Sequence, residues 1–239
     1  MGSADEVRCA NFLFLPNSPG PPNLVRSAGA EPEVRELHSN TGNLGILDDV
    51  NLISILLGVS VASGLNLYAT VLAMGVLHRL GILHLPPSLD AVAGLPVMAV
   101  AAVLYGTEFV VDKIPFLDSA WDGLHTIVRP VCAAFLAYSV VGHVDPQWQI
   151  LAALLGGSLA LTSHAAKAST RAAVQVSPEP VSNWILSLTE DGIVFLLVWL
   201  VGSHPLIGLG LALTLVAASI VIVWKLSRMV RRFFRQLLE

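Results

Sequence analysis

Between residues 50 and 225 the chain is a succession of apolar segments, each close to the roughly 20 residues that an α-helix needs to cross a bilayer core. They run over about 50–83, 92–113, 119–141, 148–170, 182–203 and 205–225, joined by short turn-like connections such as HLPPSLD, GHVDPQ and SHP. In hydrocarbon every backbone N–H and C=O must find a partner within the protein, and helices meet that demand locally. The pattern therefore predicts an all-α polytopic membrane protein of about six transmembrane helices. Composition agrees, since only 13% of residues are charged, about half the share of a soluble domain. The first segment is too long for one straight span. Its polar and small residues, Ser60, Ser63, Gly64, Asn66, Tyr68 and Thr70, predict a tilted, kinked or broken helix.

Residues 1–47, with NSPGPPN and AEPEVRE, bury too little apolar surface to fold alone and are expected to form a disordered tail. The NFLFL run there is too short for a signal peptide, follows acids and lacks a cleavage site. Residues 48–226 are the expected six-span domain, and 227–239 a basic amphipathic cytoplasmic tail. Lys225, Arg228, Arg231, Arg232 and Arg235 share a side with Lys113, Lys167 and Arg171, whereas the opposite connections hold only Arg79. The positive-inside rule then places both termini in the cytoplasm, with the chain in the inner (plasma) membrane. Trp148 and Trp224 fit interfacial anchors, and WKLSRMVRRFFRQLL reads as a topology anchor lying on the anionic inner leaflet. The lipid bilayer is the one partner the sequence specifies; nothing indicates nucleic acid, and a homo-oligomer stays open. Cys9 and Cys132 make neither a disulfide framework nor a paired-thiol metal motif.

Two polar stretches interrupt the apolar pattern. Glu108 and Asp112 stand i, i+4 at the end of the second span, and Asp118, Asp122, His125 and Arg129 share one face of the third. Asp118, just after PFL, suits a helix N-cap. His164, Lys167 and Arg171 share a face of the fourth span; Asn183, Ser187 and Glu190 share one of the fifth, with Asp191 adjacent. The hairpins resemble each other, since PFLDSAW (115–121) and PEPVSNW (178–184) place Pro, Ser and Trp alike. Extending that alignment sets Glu108 opposite Arg171, and Arg129 within two residues of Glu190 and Asp191. Such pseudo-repeated hairpins predict that Glu108 and Arg129 of one meet Arg171, Glu190 and Asp191 of the other at a repeat interface.

SGLNLYAT (63–70), EFVVDKIPFLDSAWDGLHTIVRP (108–130) and HAAKASTRAAVQVSPEPVSNWILSLTED (164–191) together resemble a bacterial multi-pass integral-membrane family catalogued as a domain of unknown function (number 4126). The similarity covers about residues 50 to 230. It implies a multi-pass membrane fold, singles out these motifs and names no substrate.

The bland account of the charges is mutual neutralisation. Seven acids (Glu108, Asp112, Asp118, Asp122, Glu179, Glu190, Asp191) face four bases (Lys113, Arg129, Lys167, Arg171), which leaves three acids over, with His125 and His164 able to titrate near neutral pH. That surplus suits a proton or cation pathway. The leading expectation is a small-solute or ion transporter, proton-linked, with a charged cavity open to the cytoplasm between the second and fifth spans. Asn66, Tyr68 and Thr70 are expected to line its route. One alternative is a non-catalytic membrane scaffold or assembly factor. Another is a lipid-phosphate enzyme in which His164, Lys167 and Arg171 hold phosphate while Asp122 and His125 exchange a proton. No Gly-rich phosphate loop, nucleophile elbow or HExxH helix supports an enzyme, and no catalytic residue is assigned. No cofactor is required; Glu108, Asp112, Asp118, Asp122 and His125 have the ligand chemistry of a Mg, Mn or Zn site. On the first span, the small residues Gly58, Ser60, Ala62 and Gly64 predict close helix packing.

Overall fold

The structure, a computed structural model, describes residues 49–114, 117–175 and 180–238. The expected N-terminal tail and Glu179 lie outside the described residues. All regular structure among the described residues is helical: α1 (Asp49–Leu65), α2 (Leu67–Arg79), a 3₁₀ helix (Pro87–Ala93), α3 (Leu95–Val111), α4 (Leu117–Val140), α5 (Pro146–Gln175), α6 (Pro180–Ser203) and α7 (Pro205–Leu238). This is an all-α polytopic membrane protein. By length and apolar composition α4 to α7 can each cross a bilayer, and the 3₁₀ helix with α3, bent by 59°, makes a fifth crossing if taken as one span. The first expected span is the apolar α1 followed by α2, separated at Asn66.

Local chemistry sets these boundaries. Asn66 is extended (φ −149°), and its side-chain oxygen accepts from the Ala69 N–H at 3.0 Å, a cap that starts α2. At the other end Gly81 takes φ +71°, and the N–H groups of Gly81 and Ile82 donate to the carbonyls of His78 and Leu77, closing α2 with a Schellman motif. Pro146, Pro180 and Pro205 each open a helix, where a missing N–H costs nothing. The last span and the basic tail form one uninterrupted helix, α7.

Small residues bring the helices close. A Cβ on Gly157 would lie 3.1 Å from the Pro130 carbonyl oxygen, so α4 and α5 cross nearly backbone to backbone, in the most extensive helix contact of the fold. Gly58 faces Val201 and Leu197 of α6, and Gly64 faces Ser163 and Ala160 of α5. The small residues of α1 thus pack it against two neighbours at once. An apolar core of Val59, Met74, Leu83, Leu89, Val140, Leu197 and Val201 fills the bundle around α2 and α6.

Candidate functional site

The site is organised by the break in the first span. A helix end leaves backbone carbonyls without intrahelical partners and carries partial negative charge. At the end of α1 the Gly64 carbonyl accepts from Arg129 at 3.1 Å and the Leu65 carbonyl accepts from Lys167 at 3.0 Å. Across the break, Asn66 caps α2 with its oxygen and donates through Nδ2 to Asp191 Oδ1 at 2.9 Å. The negative helix end is met by cations and the capping amide by a carboxylate.

Around the break three buried cations meet a larger set of buried acids. Arg129 donates to Glu108 at 2.5 Å and lies 3.9 Å from Asp122. Lys167 is 3.3 Å from Glu108, 3.4 Å from Asp112 and 3.5 Å from Glu190. Arg171 bridges Asp118 at 2.5 Å, Asp112 at 2.7 Å and Glu190 at 2.6 Å. These three cations, the six acids Glu108, Asp112, Asp118, Asp122, Glu190 and Asp191, and both His125 and His164 are all buried, none more than 7% exposed. The cluster is therefore closed to solvent, where the sequence predicts a cavity open to one side. Six acids minus three cations leaves three acids in excess.

The two histidines play different parts. His164 Nδ1 is 2.8 Å from a terminal nitrogen of Arg129, which only donates, so Nδ1 accepts and the proton sits on Nε2, which donates to the Asp122 carbonyl at 3.1 Å. That assignment makes His164 a neutral acceptor. His125 Nδ1 donates to the Trp121 carbonyl at 2.8 Å, while Nε2 meets the Tyr68 hydroxyl at 3.0 Å. A hydroxyl can donate or accept, so this contact survives protonation of His125. Asp191 differs from the paired acids: its described partners are Asn66 and the Tyr105 hydroxyl, 3.3 Å from Oδ2, and none of the ion pairs within 4.0 Å among the described residues involves it.

The structure brings together Glu108, Asp112, Asp118, Asp122, His125, Arg129, His164, Lys167, Arg171, Glu190 and Asp191, but with different partners, whereas Lys113 donates to the Phe109 carbonyl at 2.8 Å and lies over the Phe109 ring. Arg129 pairs with Glu108 of its own hairpin, and Arg171 with Glu190 of its own; the hairpins are joined through Asp112, Asp118 and Lys167 instead. Asp118 lies inside the first turn of α4 with its carboxylate turned to Arg171, a use the N-cap expectation missed. Thr70 bonds the Asn66 carbonyl of its own helix at 2.7 Å and is fully buried, so of the three α1–α2 residues Asn66 and Tyr68 reach the cluster. The Asn183 side chain lies outside the described residues. No group of three or more His, Cys, Asp or Glu residues among the described residues is arranged to hold a metal ion. His125 bonds Trp121 and Tyr68, and Lys167 and Arg171 are engaged by carboxylates. Tyr105 was missed, although its i, i+3 relation to Glu108 puts it on the same stripe.

Fold and site together define a helical membrane protein built around an occluded, acid-rich cluster at a broken helix. The chain belongs to the family described as a domain of unknown function (DUF4126), whose sequence model matches residues 53–225. No curated protein and no solved structure matches it.

Proposed function

We propose that this protein is a small-solute or ion transporter driven by, or exchanging with, protons or small cations, and that the structure holds it occluded. The observation that carries the reading is Asp191, a buried carboxylate whose described hydrogen bonds come from neutral donors and which is tied through Asn66 to the break between α1 and α2. Uncompensated charge in hydrocarbon is costly enough that three surplus carboxylates require protons or cations to accompany them. Discontinuous helices with ion sites at their ends are a recurring transporter design, because half-helix ends supply fixed partial charge at depth. Protonation of Asp191 would loosen its hold on Asn66 and so couple proton occupancy to the helix break. The positive-inside distribution supports cytoplasmic placement of both termini, and the resemblance to a bacterial membrane family supports an inner membrane.

The test is proteoliposomes with an internal pH dye under an imposed potential. Wild-type protein is expected to carry a proton or cation flux and Asp191→Asn to reduce it at least about tenfold, with the melting temperature kept. Wild-type vesicles no leakier than protein-free ones, across a panel of ions, would reject transport. A second reading, a membrane scaffold, is favoured by one feature: Arg129, Lys167 and Arg171 each have two or more carboxylates within 4.0 Å. It predicts co-purifying partners and no flux.

A further inference from the structure

We infer that the C-terminal part of α7 is a binding site for the phosphate of an anionic membrane lipid, independent of any transport by the buried cluster. Trp224, Arg228, Arg231, Arg232 and Arg235 follow one another at spacings of four, three, one and three, and so share one face of the helix. They line a hollow of about 410 Å³. Two of the arginines are oriented in advance: the Arg228 guanidinium lies 4.0 Å from the Trp224 ring centroid, and Arg231 Nε donates to the Ser227 carbonyl at 3.1 Å. The ion pairs among the described residues all belong to the buried cluster, so no carboxylate among them neutralises these four guanidiniums.

Depth in the membrane decides what this charge meets. Trp184 on α6 and Trp224 on α7 are equally far in sequence from His204 at the α6–α7 turn, about 30 Å along their helices at 1.5 Å per residue. That is the thickness of the hydrocarbon core. Both indoles are about half exposed, at 52% and 49%, as side chains at the membrane–water boundary are. Arg228 to Arg235 then stand about 6 to 16 Å beyond that boundary, in and just above the headgroup layer, where long side chains reach back to phosphate. Only 17% of the apolar window of α7 is buried, against 39% in α4, α5 and α6, so it is more open to lipid than those three helices. Planar guanidiniums bind phosphate oxygens in pairs, and four on one face exceed what a zwitterionic headgroup balances. The occupant that fits charge and depth together is a lipid with net negative charge.

The experiment titrates the purified full chain, in neutral detergent, with short-chain phosphatidylglycerol, phosphatidylcholine or soluble glycerol phosphate, and reads bound ligand by native mass spectrometry. Wild type is expected to prefer phosphatidylglycerol over phosphatidylcholine at least about tenfold, less so as salt rises, with glycerol phosphate binding far more weakly. R228Q/R231Q/R232Q/R235Q is expected to lose that preference with the lipid-free melting temperature unchanged, and R228Q/R232Q to lose part of it. Equal binding of the two lipids by wild type, or a preference undiminished in both variants, would overturn the site. Glycerol phosphate or an oligonucleotide binding as tightly as the lipid would assign the face to a soluble anion and overturn the lipid reading.

Discussion

Arg171 and Asp191 lie in the same buried cluster and are served in opposite ways. Three carboxylates, Asp112, Asp118 and Glu190, converge on the Arg171 guanidinium within 2.7 Å, drawn from α3, α4 and α6. Asp191, one residue from Glu190 on the same helix, is met by an amide and a phenol. The first arrangement holds helices together, because one guanidinium is the shared counter-charge of carboxylates from three other segments. The second places no such demand, because neutral donors serve a carboxylate and tolerate its protonated form. One helical step on α6 separates an acid paired with Arg171 and Lys167 from one with no ion pair within 4.0 Å among the described residues.

The sharpest break of this comparison is Arg171→Leu. It takes a counter-charge from Asp118, leaves Asp112 and Glu190 to the more distant Lys167 and unpins four helices, and breaking a buried pair alone costs about 3 to 5 kcal/mol. Thermal unfolding in detergent should show the largest drop of any single substitution here, and a drop no larger than that of Asp191→Asn would dissolve the distinction. Next is the pair Glu108→Gln and Asp122→Asn. Glu108 lies within 3.3 Å of both Arg129 and Lys167, whereas Asp122 is 3.9 Å from Arg129. Glu108→Gln should therefore destabilise by about 3 kcal/mol, and Asp122→Asn by less than about 1 kcal/mol. Equal losses in melting temperature would mean that ion-pair distance does not separate the two roles. A comparably small effect is expected for Asn66→Ala, which removes the α2 cap at a cost of about 1 kcal/mol and one donor from Asp191. If the proposed transport holds, flux should fall severalfold at that small loss of stability, since the residue touches both the break and Asp191.

The same contrast separates what was legible in the sequence from what was not. Hydropathy alone specified an all-helical membrane fold, because a span needs a run of apolar residues of fixed length and nothing else buries it. Helical spacing alone specified the polar stripes, because residues three and four apart share a face whatever lies opposite. Small and polar residues around Gly64 and Asn66 marked the first span as irregular, and the tertiary structure placed the break at Asn66. Partner choice was beyond the sequence. Whether Arg129 meets Glu108 or Glu190 depends on the relative depth and crossing of two helices, set by contacts such as Gly157 against Pro130 far from either charge. The carbonyls of Gly64 and Leu65 carry no signal at all, since every residue has one and only the helix break makes these two available to Arg129 and Lys167. Side-chain chemistry and its period are local and can be read along the chain; charge pairing acts over a few ångströms between segments up to 59 residues apart, and only packing brings those together.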